Sequence, residues 1–387
     1  MNINVTSIPQ QYYQDYRINV MFDGYKWDLQ AGEQSTISDK VVILGQDDAH
    51  LLAKHAIELY NETIKMEQSL QTKPELALEL GISPPMVDAL CNCNYNPERH
   101  VRFMRFDFHP TKDIIDGWQV SEVNSDVPAG YPEASILPQL AEKYIDGYRK
   151  YGCFGSVLKS RLTRLVPPGA YIAYLHDTHT VEDYQILRYI GDIMETGGYK
   201  SMYVSPEHIK WHEGKAEGVG GIVRYFPVEW MEYAKGVDWA GFVNTQTPSC
   251  NHPIALLTQS KRLPLVWDRL GVNIPTWKKL LPETKCASAI TKQDGWILKP
   301  AFGRVGEGIN IPGTMIAEEE QEIIKAAEKD PIQWVAQKMF ESKPVSSLHL
   351  NIGVFVVDGQ FAGFYARGSH KPRIDEDASE IPILVKE

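Results

Sequence analysis

Residues Arg102 to Asp126 read RFMRFDFHPTKDIIDGWQVSEVNSD, and the stretch predicts a β-hairpin. One strand is expected near residues 103–108, a polar loop over 109–117, and a second strand near 118–123. Alternate residues of a strand share a face. Phe106 and Phe108 therefore take one side, and Arg105 and Asp107 the other. In the second strand Trp118 and Val120 oppose Gln119 and Ser121, and Glu122 and Asn124 point the same way at its end. Turned towards a cleft, this hairpin offers two carboxylates and an amide oxygen. Those are hard oxygen ligands of the kind magnesium takes, with substrate phosphates completing its shell. The same pattern also suits the wet side of a half-buried hairpin, and this stretch alone leaves both readings open.

Working outward, the chain has 387 residues, 43% of them hydrophobic. That is enough for a sizeable core and more than one domain. A formal net charge of −11 argues against a general nucleic-acid or anionic-membrane binder. No apolar run is long enough to span a bilayer, and MNINVTSIPQQYYQDYR lacks a charged-then-apolar secretory pattern. The five cysteines, Cys91, Cys93, Cys153, Cys250 and Cys286, give one close pair and no second pair for a zinc site. A cytoplasmic protein with reduced, structural thiols is expected.

Residues 1–45 read as irregular, with short strands at 21–29. Residues 47–71 predict an amphipathic helix, with Asp47 and Asp48 favouring its start. Short helices at 74–80 and 84–90 and a helix at 133–151 are expected around the hairpin. Pro167-Pro168-Gly169 marks a break. Strand–helix–strand alternation after it predicts a small parallel-sheet α/β unit at about 165–250. Its strands are expected near 170–175, 200–204, 218–225 and 240–243. Ligand-binding loops would then fall at the carboxyl ends of those strands, at 176–183 and 224–230. Residues from 258 to 270 read as a helix, and 296–300 as a strand ending in Lys299. A helix at 315–329 and strands at 334–339, 348–357 and 360–367 complete the pattern.

Lys299 to Gly308 reads KPAFGRVGEG. Glycines at 303, 306 and 308 let the backbone fold over a ligand with its amides inward, as glycine-rich loops do around phosphates. Lys299 and Arg304 add charge to neutralise a triphosphate. The spacing matches neither the dinucleotide fingerprint nor a Walker loop. With the hairpin, it describes a magnesium–nucleotide site split across distant segments.

Several blocks then resemble the synthetase domain of glutathionylspermidine synthase, a member of the ATP-grasp superfamily. They are RFDF at 105–108, EVN at 122–124, SKRLPLVW at 260–267, KPAFGRVGEG at 299–308 and GFYARG at 363–368. The resemblance implies an α/β (α+β), circularly permuted ATP-grasp fold. Residues 1–164 and 251–387 would form the ATP-grasp region, and 165–250 a Rossmann-like pre-ATP-grasp domain that holds the acid substrate. It makes Asp107, Glu122 and Asn124 magnesium ligands and aims Arg105 at the transferred phosphoryl group. Phe106, Lys261, Lys299, Arg304, Gly306, Gln337 and Arg367 join Arg105 and Asp107 in holding ATP, with two magnesium ions.

The implied reaction is ATP-dependent amide formation between an acid and an amine through an acylphosphate. Two further readings are a nucleotide-binding, non-catalytic homologue and an ATPase with another acceptor. The resemblance has gaps. Val127 and Ala129 stand where the family places hydroxyl residues that bind glutathione. Glu182-Asp183 resembles an acidic pair of the substrate region, although two acidic residues also suit a solvated helix face. The cysteine–histidine amidase of the bifunctional enzymes has no counterpart here. The acid is therefore not fixed as glutathione, nor the amine as spermidine. Both substrates are expected to be small molecules, with no nucleic-acid or membrane partner.

Overall fold

The computed structural model describes residues 1–386, except for 28–29, 32–33, 291–294, 305, 307 and 312–313. Side chains at 30–31 and 34–35 also lie outside the description. The hairpin forms from Phe103–Pro110 and Trp118–Asn124. Arg105 pairs with Asn124 and Asp107 with Glu122 across antiparallel strands, and the register shifts between Asp107 and Phe108. Ser121 is the extra residue of that bulge, since Val120 pairs with Phe108 and Glu122 with Asp107. A bulge resets the alternation of its strand. Trp118 and Val120 can thus point into the core while Glu122 and Asn124 come out beside Arg105 and Asp107.

The hairpin is the edge of a five-stranded antiparallel sheet. Its order is Ser379–Ile381, Gln360–Ser369, His349–Val357, Phe103–Pro110, Trp118–Asn124. One face of that sheet packs on the helix Gln46–Gln71. Phe106, Phe108, Trp118, Ile352 and Val354 share a core with Leu52, Ala56 and Leu59 of the helix. Burying side chains of this size stabilises by about 1.5–3 kcal/mol each, so this face fixes where the sheet lies. Trp118 Nε1 also donates to Asp48 Oδ1 at 3.0 Å, in the first turn of the helix.

A second sheet is all-parallel, in the order Ser249–Cys250, Gly221–Arg224, Tyr171–Leu175, Lys200–Val204. The helix Val181–Glu195 follows its first strand. Three of its strands fall where strand–helix alternation expects them, and the fourth, Ser249–Cys250, lies beyond the expected 240–243. Besides two short ribbons of two strands each, the described residues form two further sheets. One joins Ile3–Ser7, Lys40–Leu44, Ile383–Lys386 and Tyr148–Arg149, and the other joins Thr284–Cys286, Trp334–Lys338 and Trp296–Pro300. Among the described residues no helix is long and apolar enough to cross a membrane.

Several sequence expectations fail locally. Residues 1–45 are not irregular: Gln10–Asp23 is a helix, so Met21 to Asp23 are helical, not strand. Only Tyr16 and Val20 are buried on it, against Leu137 and Leu140. That narrow stripe is a weak periodic signal. Residues 28–29 of the expected strand lie outside the described residues. Residues 258–270 do not form one helix. They make short 3-10 turns at Pro253–Thr258, Leu263–Leu265 and Trp267–Arg269, because Pro264 has no N–H to continue a helix. Trp239–Val243 is a helix, not a strand, with Asp238 accepting from Gly241 N. The helix expected over 133–151 ends at Ala141.

Candidate functional site

The other face of the five-stranded sheet packs Phe103, Phe355 and Val357 on the helices Tyr131–Ala141 and Phe154–Leu165, and farther along the same strand it carries the charges. Arg105 Nε donates to Asp107 Oδ1 at 2.7 Å and Nη2 to Oδ2 at 2.9 Å, a bidentate pair between residues two apart on one strand. Nη1 donates to the Ala129 carbonyl at 2.7 Å. The guanidinium also lies 5.4 Å from the centroid of the Tyr365 ring. Burial works against its charge, but the Asp107 carboxylate outweighs this and holds the pKa above the ordinary arginine value.

Two amides converge on the same carboxylate. Asn124 Nδ2 donates to Asp107 Oδ2 at 3.2 Å, and Asn351 Nδ2 to the same oxygen at 3.3 Å. Asn351 Oδ1 is buried without a hydrogen-bond partner. Glu122, opposite Asp107, takes the Lys261 ammonium at 3.1 Å. Burial would raise the Glu122 pKa, but Lys261, Lys299 and Arg105 together pull it down to about 2. It is a carboxylate at any physiological pH.

Lys261 Nζ also donates to the Gly303 carbonyl at 2.7 Å, which draws the glycine-rich loop to the hairpin. Lys299 ends the strand Trp296–Pro300. Its Nζ donates to Gln337 Oε1 at 2.7 Å and lies 3.4 Å from the carbonyl of the bulged Ser121. Burial lowers its pKa to about 8, with Glu122 partly offsetting that and Lys261 adding to it. Lys299 and Lys261 are thus two ammonium groups held close together by acceptors of the hairpin and the loop.

Arg304 and Gly306 lie farther along the loop, whose residues 305 and 307 are outside the described set. Gly306 has φ +71°, and a Cβ there would meet the Ile374 carbonyl at 2.5 Å. Only glycine fits the loop against the 370–378 segment. Arg304 Nη2 reaches Glu229 Oε1 at 2.5 Å. Arg367 sits opposite Asn351 in the sheet and donates to the Asp375 carbonyl at 2.5 Å.

A cleft beside Glu122 and Lys261 is lined by Leu263, Trp267, Trp277, Leu281 and Gln337. Trp277 is held there by Glu62, whose carboxylate accepts from Thr276 N and Trp277 N, both at 3.0 Å, and by Thr63, which accepts from Trp277 Nε1 at 3.0 Å. Strand alternation buries the Phe106 side chain on the opposite face of the sheet, against Trp277 at 6.0 Å between centroids. Phe106 therefore touches this cleft only through Trp277. A separate cavity of about 680 Å³ lies between Ser7, Lys40, Ser347, His370 and Asp377, and contains none of the residues expected at the site.

The structure thus bonds Arg105, Asp107 and Asn124 to one another and sets the pairs Glu122–Lys261 and Lys299–Gln337 beside them at the hairpin, with Arg304, Gly306 and Arg367 on the segments around. Among the described residues no three His, Cys, Asp or Glu side chains are grouped to hold a metal. The donor set here is different, with two carboxylates and two amide oxygens. The orphaned Asn351 Oδ1 gives it an acceptor that still lacks a partner, which fits a hard cation. Sequence reasoning missed Asn351, Tyr365 and Glu229. Asn351 had a readable signal, as a lone amide inside the apolar run LHLNIGVFVV.

A protein-family model described as glutathionylspermidine synthase preATP-grasp matches residues 8–386. No curated protein matches the chain. Among solved structures it is similar to a glutathione synthetase-like effector from Globodera pallida in its apo form. That match has a TM-score of 0.60 and 12% identity, covering 98% of this chain and 100% of that one. A Methylobacillus flagellatus KT protein described as a gamma-glutamylcysteine synthetase matches with a TM-score of 0.46 and 11% identity, covering 81% of this chain and 88% of that one. At such identity the effector shares the fold alone. The mixed α/β architecture with several sheets is compatible with an ATP-grasp-like fold. The family model spans nearly every residue, and the chain belongs to the glutathionylspermidine synthase preATP-grasp family.

Proposed function

We propose that the protein is an ATP- and magnesium-dependent ligase that joins a carboxylic acid to an amine through an acylphosphate. One observation carries this reading. Arg105 pairs with Asp107, Lys261 pairs with Glu122 opposite it, and Lys299 reaches the Ser121 carbonyl next to Glu122, so that a polyphosphate and a cation would balance each other there. Asp107, Glu122, Asn124 and Asn351 would hold magnesium. Magnesium would screen the phosphate oxygens and the charge that develops between them.

The chain's own groups supply positioning. Trp267, Trp277 and Gln337 take the base, and Lys261 and Lys299 hold phosphate oxygens. Arg105, already fixed by Asp107 and Ala129, faces the phosphoryl group in flight. A carboxylate oxygen of the acid bonds to the terminal phosphorus as the bridging P–O bond breaks, and ADP leaves with the electron pair. The amine nitrogen then attacks the acyl carbon. The C–N bond forms, the C–O bond to phosphate breaks, and the amine gives up a proton. No side-chain nucleophile is needed, in keeping with Cys250, whose thiol is pushed well above its usual range by burial.

In the same reading the fold is a permuted ATP-grasp, since Asp107 and Glu122 precede Lys261 and Lys299 in the chain. Residues 1–164 and 251–387 form the nucleotide region. The parallel sheet of 165–250 is a Rossmann-like substrate unit.

The test is phosphate release from ATP with magnesium across a panel of acids paired with amines. The expected outcome is release stimulated by one pair, with the matching amide in the mass spectrum, and loss of both in Asp107→Asn. Neither nucleotide binding nor release by the wild type would instead favour a non-catalytic scaffold.

A further inference from the structure

The Arg304 guanidinium rests in a small cage. Glu229 Oε1 lies 2.5 Å from its Nη2, and the Trp230 ring lies beneath it at 5.3 Å to the centroid. Phe226 stands edge-on to Trp230 at 5.9 Å between centroids. A carboxylate above an aromatic face is a general receptor for an organic cation. Arg304 shows that a cation fits this one. The other oxygen, Glu229 Oε2, is buried with no hydrogen-bond partner. The cage therefore has acceptor capacity that Arg304 leaves unused.

Its place is also informative. Glu229 and Trp230 follow the strand Gly221–Arg224 at its carboxyl end, where open parallel sheets bind ligands. The segment is anchored from the hairpin side. Asp126 pairs with Arg224 and accepts from Val228 N at 3.0 Å, two residues past Asn124. Arg304 itself belongs to the loop that the ligase reading assigns to the ATP phosphates. One guanidinium thus has two competing anionic partners, the Glu229 carboxylate and the triphosphate.

We infer that the Glu229–Trp230 cage is the binding site for the ammonium end of the amine substrate, and that Arg304 occupies it until the nucleotide phosphates draw the guanidinium away. This rests on the ligase reading. It adds the residue that selects the amine and an order of binding, with nucleotide before amine. An alkylammonium then replaces the guanidinium over Trp230 and meets both oxygens of Glu229. Without this exchange an amine would meet a filled cage.

Calorimetry of the full chain with spermidine as the probe, with and without a non-hydrolysable ATP analogue and magnesium, tests the exchange. Spermidine is expected to bind at least about tenfold more tightly to the nucleotide complex of the wild type. Glu229→Gln is expected to lose that gain while keeping or tightening nucleotide affinity, because Arg304 is released. Arg304→Met is expected to bind spermidine equally well with and without nucleotide, and nucleotide less well. A merely structural role for Arg304 would not open the cage in this way. Nucleotide binding without any nucleotide-dependent spermidine binding overturns the cage and leaves the ligase reading standing. Persistence of the gain in Glu229→Gln also overturns the cage. Failure of the wild type to bind nucleotide overturns the ligase reading and this inference together.

Discussion

Gly353 lies opposite Asp107 in the sheet, and the Arg105 side chain crosses the space where its Cβ would be. An added Cβ would meet Arg105 Cδ at 2.6 Å. Arg105 cannot swing aside, since Asp107, Ala129 and Tyr365 hold it on three sides. Gly353→Ala is therefore expected to displace the guanidinium. Overpacking costs of about 1–3 kcal/mol apply. Turnover should fall more than tenfold while nucleotide affinity stays nearly constant. Steady-state kinetics beside nucleotide titration would check this, and full turnover in the variant would remove Arg105 from the chemistry.

Lys299 predicts a proton-linked nucleotide affinity. Its pKa is about 8 in the fold against 10.5 ordinarily, because burial disfavours the ammonium. Between those values the unfolded chain holds a proton that the folded one lacks. Stability from this group is thus lowest below pH 8 and rises as the pH climbs towards 10.5. Nucleotide phosphates would restore the charge. Binding near pH 9 should take up close to one proton, read by calorimetry in buffers of different ionisation enthalpy. Lys299→Arg should abolish the uptake.

Asn351→Ala should raise the magnesium concentration needed for half-maximal turnover. Removing groups that orient metal ligands commonly weakens metal binding by about 10–100-fold, and Asn351 both donates to Asp107 and presents a free oxygen. An unchanged magnesium dependence would exclude Asn351 from the cation site.

Arg224→Met should be among the most destabilising single changes. Among the described residues it leaves the fully buried Asp126 carboxylate with only Val228 N to accept from. Breaking a buried pair on one side costs about 3–5 kcal/mol. Guanidinium denaturation would show the loss, and adding Asp126→Asn should recover part of it. A shift under about 1 kcal/mol would mean that water reaches the pair.

Much of the site could be read from single strands. Arg105 and Asp107 follow from alternation alone. Glu122 and Asn124 do not. Strict alternation from Trp118 would send both into the core, and only the extra residue at Ser121 brings them out. A bulge depends on the partner strand, which no local pattern records. Asn351 meets Asp107 across 244 residues, so periodicity had no means of pairing them. Residues 258–270 mislead for a different reason. Their buried Leu263, Val266 and Leu270 mimic a helical stripe, and Pro264 decides against it.

The same distance in sequence has a consequence for how the protein is born. The edge of Phe103–Pro110 that later pairs with His349–Val357 leaves the ribosome long before its partner has been translated. Until then a nascent chain carries an unsatisfied strand edge flanked by Phe106 and Phe108, the kind of template that recruits other chains. Contacts of such long range also slow folding. Arg105 and Asp107, the charged residues on that strand, oppose such pairing and keep the unfinished sheet from adhering to its neighbours.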